Sequence, residues 1–275
     1  MGKYSEAPIK KSSQDGKPHW ELMVPEIPKE KVPKVSVVTI TKDRSHLVRI
    51  MLYNWSQIKY PEDKLEWIIV DDSKEDTLRM YLPLMDDERI RYYHTEPFKG
   101  LAEKRNYACS LCSGEYIAMM DDDDYYFPDH IMAKVRLLYH SDKVGVHSMP
   151  IAVYNILDDT SYIYEWCKPN KQTNSISEGS LLLKRDYWKT HPFQSNKPNQ
   201  VSEGMSIIGR NHHKFFNLHF LFNGITITHS KNITGTTRKV DQAITEKTIH
   251  DHSFREIFPD TFNYILEQLS TLLKN

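Results

Sequence analysis

Along the chain the spacing of apolar residues changes period several times, and each change marks an element. Val35-Ser-Val-Val-Thr-Ile40 is a β-branched run of strand length and predicts a buried strand. From Ser45 the spacing becomes helical, with Leu47, Ile50, Met51, Asn54 and Ile58 in phase; the helix is expected to end before Tyr60-Pro61, because a residue preceding proline avoids the helical region. Residues 65–70 predict a second strand, 77–85 a short helix, 90–94 a third strand, and 101–112 a helix stopped by Gly114. Residues 115–120 form a fourth strand that runs straight into Asp121, Asp122, Asp123 and Asp124. Alternating strands and helices of this kind predict an α/β fold with a mostly parallel, doubly wound sheet. Ligands of such sheets bind beyond the carboxyl ends of the strands, where both Asp71-Asp72 and the aspartate run fall.

After Pro128 a helix is expected to about residue 140, and the pattern then breaks into short strands at 144–149, 151–156, 161–166, 179–184 and 225–230. Residues 259–274 predict an amphipathic helix with Phe262, Ile265, Leu266, Leu269 and Leu273 along one side. Packing on its own domain is the expected use of that face, and an oligomer formed through it is the alternative. Residues 1–33, with prolines at 8, 18, 25, 28 and 33, read as a flexible tail or strap. The expected organisation is therefore a tail, one domain over 34–250 whose halves are 34–140 and 141–250, and a C-terminal helix within 251–275.

Composition narrows the partners. A formal charge of −1 over 275 residues provides no overall field to attract a nucleic acid polymer or an anionic membrane, so recognition must be local. No apolar run is long enough to span a bilayer and the first residues lack a signal-peptide core, which predicts a soluble, cytoplasmic protein. Three cysteines do not make a disulfide framework; Cys109 and Cys112, spaced as on one helix face, are expected to be packing residues.

The aspartate run carries the chemistry. Four carboxylates after an apolar strand cannot all be buried without cationic partners, because an isolated buried charge costs several kcal/mol. A tight group of hard oxygen ligands suits Mg²⁺ or Mn²⁺ held beside a diphosphate, and a solvated acidic turn is the alternative. Upstream, Lys104, Arg105 and Asn106 lie near a helix start, where cations and an amide are able to meet phosphate.

Four ordered segments together resemble the family 2 glycosyltransferases of the GT-A fold. They are Val35 to Arg44, Glu66-Trp-Ile-Ile-Val-Asp-Asp-Ser73, Gly100 to Asn106, and Gly114-Glu-Tyr-Ile-Ala-Met-Met-Asp-Asp-Asp-Asp-Tyr125. The resemblance covers about residues 34–140. It implies a nucleotide-sugar half there, with an acceptor half following. Thr41 and Arg44 would lie by the base, Asp72 would accept from the pyrimidine or its ribose, and Lys104 and Arg105 would face the diphosphate. Asp121 would contact the ribose or a metal water and Asp123 would coordinate the cation, with Asp122 in the nucleotide set and Asp124 supporting or solvated. The family's Pro-Thr-Tyr-Asn is replaced by Ile40-Thr-Lys-Asp43. Alignment on Tyr116-Ile117 favours the 121/123 register of D-x-D over 122/124.

Inverting transfer needs a carboxylate base for the acceptor hydroxyl. Ser202-Glu-Gly-Met resembles the family's Glu-Asp helix start, with Gly204 in the position of the Asp, so Glu203 is the first candidate base; helix capping is its other reading. Glu178, in Ile176-Ser-Glu-Gly-Ser180, is the second. His229, at the end of an alternating strand, resembles the late histidine of related metal sites, and Trp166 and Trp188 are possible sugar-stacking faces. The expected function is a metal-dependent inverting glycosyltransferase, using a nucleoside-diphosphate sugar, UDP-linked, with Mn²⁺ or Mg²⁺ and a saccharide or glycoconjugate acceptor. A sugar nucleotidyltransferase is disfavoured because Thr41-Lys-Asp-Arg-Ser45 contains no glycine for a phosphate loop. An inactive nucleotide-sugar or cation-binding module is the remaining alternative, with Gly204 its best argument.

Overall fold

The β-branched run that opens the ordered chain becomes the middle of a sheet because both its faces are covered. In the computed structural model, which describes residues 24–164, 176–195, 203–230, 232, 248–249 and 253–274, β1 (Val35–Thr41) lies between two parallel neighbours. The order of elements in the first half is β1, α1 (Val48–Gln57), β2 (Leu65–Asp71), β3 (Ile90–His94), α2 (Leu101–Ser110) and β4 (Tyr116–Met119). Val35 stands opposite both Leu65 of β2 and Tyr116 of β4, so the three carboxyl ends finish on the same edge. Met51, Trp55 and Val135 cover one face of this sheet with Val37 and Trp67, while Ala108 and Cys109 cover the other with Val38, Ile68 and Ile117.

The second half comprises β5 (Tyr125–Tyr126), α3 (His130–Tyr139), β6 (Gly145–Ser148), β7 (Ile151–Asn155), β8 (Thr160–Tyr164), β9 (Leu182–Lys184), α4 (Arg185–Thr190), α5 (Gly204–Ile208), β10 (Phe215–Leu218), β11 (Gly224–Thr228), β12 (Thr248–Ile249) and α6 (Asp260–Lys274). Among the described residues the main sheet has the order β10-β6-β9-β4-β1-β2-β3, with β9 antiparallel to β4 and β6. A second sheet, β12-β8-β7-β11-β5, is joined to it through the aspartate loop.

Several expectations change. The short helix over 77–85 is a 3-10 segment, Leu78–Leu84, with Pro83 inside it, where proline's missing N–H and ring disfavour α-helix. Residues 178–180 are a 3-10 turn rather than the start of a strand. Phe215–Leu218 forms a strand whose alternation was too short to read. The part of the tail that is described is docked: Arg136 donates to the carbonyls of Pro25, at 3.0 Å, and of Val24, Tyr60 Oη donates to Pro33, and Ile27 and Val32 are buried. The face of α6 is spent on its own domain, where Phe262, Leu266 and Leu269 pack in one core with Leu47, Tyr125 and Ile227. Residues Tyr264 and Leu272 remain exposed on it. Among the described residues no helix is long and apolar enough to cross a membrane.

Candidate active site

β2 and β4 deliver acidic groups to the edge where β1 ends, Asp71-Asp72 from β2 and the aspartate run from β4. At the end of β1, Thr41 donates its hydroxyl to Asp122 Oδ2 at 2.6 Å. Arg44 places Nη1 2.8 Å from Asp122 Oδ1 and 3.0 Å from Asp123 Oδ2, bridging the two carboxylates. Arg44 was expected beside a base; the loop after β1 instead turns it toward the aspartates, and their charge holds the guanidinium protonated despite its burial.

Each aspartate of the run has its own surroundings. Asp124 is buried and structural, accepting from the Ile227 N–H at 3.1 Å and from Thr226 Oγ1 at 3.3 Å. Asp122 is likewise buried against Thr41 and Arg44, and desolvation raises its pKa in spite of the arginine. Asp123 meets His229 Nε2 at 3.5 Å and accepts from Asn232 Nδ2 at 2.8 Å. Burial works to raise its pKa, but the His229 hydrogen bond, Arg44 and Asn232 outweigh burial and hold it at about 2. Asp121 is the most open of the four, its side chain 30% exposed, and desolvation with the neighbouring Asp123 and Asp122 pushes it to about 6 against the pull of Arg105. Asp124 is turned onto β11, which leaves Asp121 as the partly exposed carboxylate of the run and Asp123 as the buried one held by Arg44, His229 and Asn232.

Backbone clamps hold this loop. Asn54, on a helical face otherwise apolar, donates Nδ2 to the Asp124 carbonyl at 2.8 Å and accepts from the Tyr126 N–H at 3.0 Å. A lone amide in an apolar stripe was the available signal for this role.

The basic residues divide the remaining work. Lys104 is buried with Nζ 2.5 Å from Asp72 Oδ1 and also bonded to the Thr41 carbonyl, so it ties β1 to β2 rather than pointing outward. Asp72 Oδ2 accepts from the Phe98 N–H at 3.1 Å. Arg105 donates Nε to Glu203 Oε1 at 2.6 Å and has Nη2 3.5 Å from Asp121 Oδ1. Asn106 does not turn toward phosphate; it clamps Phe193 through both its backbone groups and accepts from Trp188 Nε1 at 3.0 Å. That bond makes Trp188 a packing residue of α4, while Trp166 and Ser202 lie outside the described residues.

On the other side of Arg105, Glu178 accepts from the Gly204 N–H at 3.0 Å. A Cβ on Gly204 would lie 2.4 Å from Ile176 Cδ1 and 2.9 Å from Glu178 Cγ, so the glycine makes room for the glutamate. Desolvation and the Glu203 charge push the Glu178 carboxyl up to about 7, against Arg105 and the Gly204 N–H. Glu203 is itself 1% exposed and engaged by Arg105.

Of the three expected metal ligands, Asp123 and His229 come together and Asp121 turns to Arg105. Among the described residues no three metal-ligating side chains form a ready-made cage. Asp123 and His229 nonetheless present a hard carboxylate oxygen, which suits Mg²⁺ or Mn²⁺, beside an imidazole nitrogen, which fits a transition metal such as Mn²⁺ better than Mg²⁺.

The sequence profile described as Glycosyl transferase family 2 matches residues 36–197. WcaA of Escherichia coli, assigned to colanic acid biosynthesis as a glycosyl transferase, is 30% identical over 118 residues, 42% of this chain and 40% of its own. The Escherichia coli protein named UDP-Glc:alpha-D-GlcNAc-diphosphoundecaprenol beta-1,3-glucosyltransferase WfgD is 24% identical over 164 residues, 58% of this chain and 62% of its own. The matches thus span less than two thirds of those relatives' lengths, 40% and 62%. Among solved structures, the mannosyltransferase PcManGT from Pyrobaculum calidifontis, in complex with GDP-Man and Mn²⁺, superposes with a TM-score of 0.58 at 15% identity, over 90% of this chain and 72% of that one. TarS from S. aureus gives 0.50 at 16% identity, over 72% and 58%. The fold is GT-A, and the chain belongs to glycosyl transferase family 2.

Proposed function

We propose that this protein is a metal-dependent inverting glycosyltransferase that moves a sugar from a UDP-linked donor to a hydroxyl of a saccharide or glycoconjugate acceptor. The observation that carries the reading is the grouping of Asp72, Arg105, Asp121, Asp123 and Glu178 at or beside the carboxyl ends of β1, β2 and β4. The glucosyltransferase WfgD, whose name specifies UDP-Glc, supports a uridine donor. A cytoplasmic setting belongs to the same proposal, in keeping with the free thiols of Cys109 and Cys112.

In this reading Asp72 binds the nucleoside, with Lys104 fixing its orientation. Asp123 and His229 hold the divalent cation, with Asp121 on its ribose or water side. Cations of this class commonly take one or two carboxylates and complete their shell with substrate phosphate, which fits a site that lacks a full protein cage. Bound there, the cation supplies positive charge to the diphosphate. Arg105 faces the same leaving group.

The base reading moves from Glu203 to Glu178. Glu203 is Arg105's counter-ion and is sequestered, whereas Glu178 carries a raised pKa suited to accepting a proton near neutral pH. The acceptor oxygen attacks the anomeric carbon and forms the new C–O bond while its proton passes to Glu178. The bond from that carbon to the diphosphate breaks, and its electron pair leaves with the nucleoside diphosphate.

The test is release of nucleoside diphosphate from UDP-glucose, UDP-GlcNAc and GDP-mannose with Mn²⁺, compared with the Asp123→Ala variant and with EDTA. Release from a UDP-sugar that Asp123→Ala and EDTA both abolish is the expected result. No release from any donor, or release unchanged in the variant, overturns the reading.

A further inference from the structure

The two halves of the site are joined by one hydroxyl. Tyr126 is 2% exposed; its backbone N–H is bonded to Asn54 Oδ1, and its ring lies 5.0 Å from that of His130. Its Oη accepts from the Asp121 N–H at 2.8 Å and donates to the Gly179 carbonyl at 3.0 Å. Asp121 begins the aspartate loop on the donor side, and Gly179 follows Glu178 on the acceptor side. A side chain that cannot shift therefore bridges two segments more than fifty residues apart in the chain.

The junction is tight from both directions. A Cβ on Gly179 would lie 2.6 Å from Asp121 Oδ2 and 2.7 Å from Tyr126 Oη, so hydroxyl, carboxylate and turn meet without room for a methyl group. The far side of the turn is pinned as well, with Lys134 Nζ 2.9 Å from the Ser180 carbonyl and the Ser148 N–H 2.9 Å from Ser180 Oγ. With the turn fixed from behind, the Tyr126 hydroxyl is the element that sets its distance to Asp121.

We propose that Tyr126 is a positioning residue: its hydroxyl fixes the gap between Asp121 and Glu178, and through that gap governs the rate of donor turnover far more than donor affinity. The inference rests on the glycosyltransferase reading. Of the proposed donor contacts Tyr126 touches only Asp121, through its backbone N–H, while Asp72 and the diphosphate side lie outside its bonds. Bond cleavage needs the anomeric carbon aligned with both the leaving-group side and the base, and a misplacement of about 1 Å costs on the order of 100-fold in rate.

The experiment uses the full chain with Mn²⁺ and the donor that the wild type hydrolyses fastest among UDP-glucose, UDP-GlcNAc and GDP-mannose. Tyr126→Phe removes one oxygen atom; Gly179→Ala forces the same junction apart from the turn side. Both are expected to lower kcat by about 30- to 100-fold while KM, and the Kd for UDP with Mn²⁺ by calorimetry, stay within about threefold. A purely structural role would move kcat, KM and Kd together and lower the melting temperature of both variants in proportion. That pattern, or a wild-type kcat in Tyr126→Phe, overturns the inference while leaving the functional reading intact. Absence of hydrolysis in the wild type overturns both.

Discussion

Glu178→Gln should stabilise the protein while disabling it, and the gain should depend on pH. The carboxyl lies between Glu203, Arg105 and the Gly204 N–H, and burial with the Glu203 charge raises it to about 7 from an ordinary 4.5. Between those two values the folded chain binds a proton that the unfolded chain does not, so stability falls as pH rises through the window. At ~1.4 kcal/mol per pH unit, the ionised carboxylate costs the fold at most about 3 kcal/mol above pH 7. Glutamine is isosteric, retains an oxygen for the Gly204 N–H and carries no charge. At 2–4 °C per kcal/mol for a chain of this size, melting should rise by up to roughly 6–12 °C at pH 8 and by almost nothing at pH 4.5. The assay is thermal melting by circular dichroism at both pH values, beside donor hydrolysis, whose acid limb near pH 7 in the wild type should vanish with activity in the variant. A variant less stable at pH 8, or equally stabilised at both values, would refute the placement of an unneutralised carboxylate at this position.

Two further outcomes follow from the packing. Lys134 is buried, and desolvation lowers it to about 7 from 10.5; the unfolded chain therefore binds more protons between those values, and stability contributed through this group rises with pH across the window. Denaturation of Lys134→Met between pH 6.5 and 10 should lack that rise, and a parallel pH dependence in both proteins would contradict it. Phe262→Ala should cost about 3–5 kcal/mol in urea unfolding, because the ring is fully buried 4.6 Å from Tyr125 and 5.1 Å from Tyr53. A loss below about 1 kcal/mol would mean that α6 is an appendage rather than part of the core.

What the sequence determined by itself was local and periodic. The strands at β1, β2, β3 and β4 were legible because each is a short apolar run bounded by turn residues, and the parallel order followed from their alternation with helices. Placing Asp72 and the aspartates at strand ends needed nothing more, since a strand's direction decides which end its last residue occupies. The tertiary structure decided the pairings between segments distant in the chain. Asp121 and Asp124 are identical in the sequence, yet one is open to solvent and the other bonds to β11, because the loop reverses direction between them. In a linear reading Lys104 and Asn106 look like phosphate contacts and Arg44 like a neighbour of the base, but in the fold they are bonded to Asp72, Phe193 and Asp123 respectively. The different surroundings of Glu203, paired with Arg105, and of Glu178, seated in the space left by Gly204, came likewise from the fold. A linear pattern records which face a residue occupies; which charge neutralises which is set by distances of 3 Å that depend on how loops cross, and a one-dimensional period carries no record of those crossings.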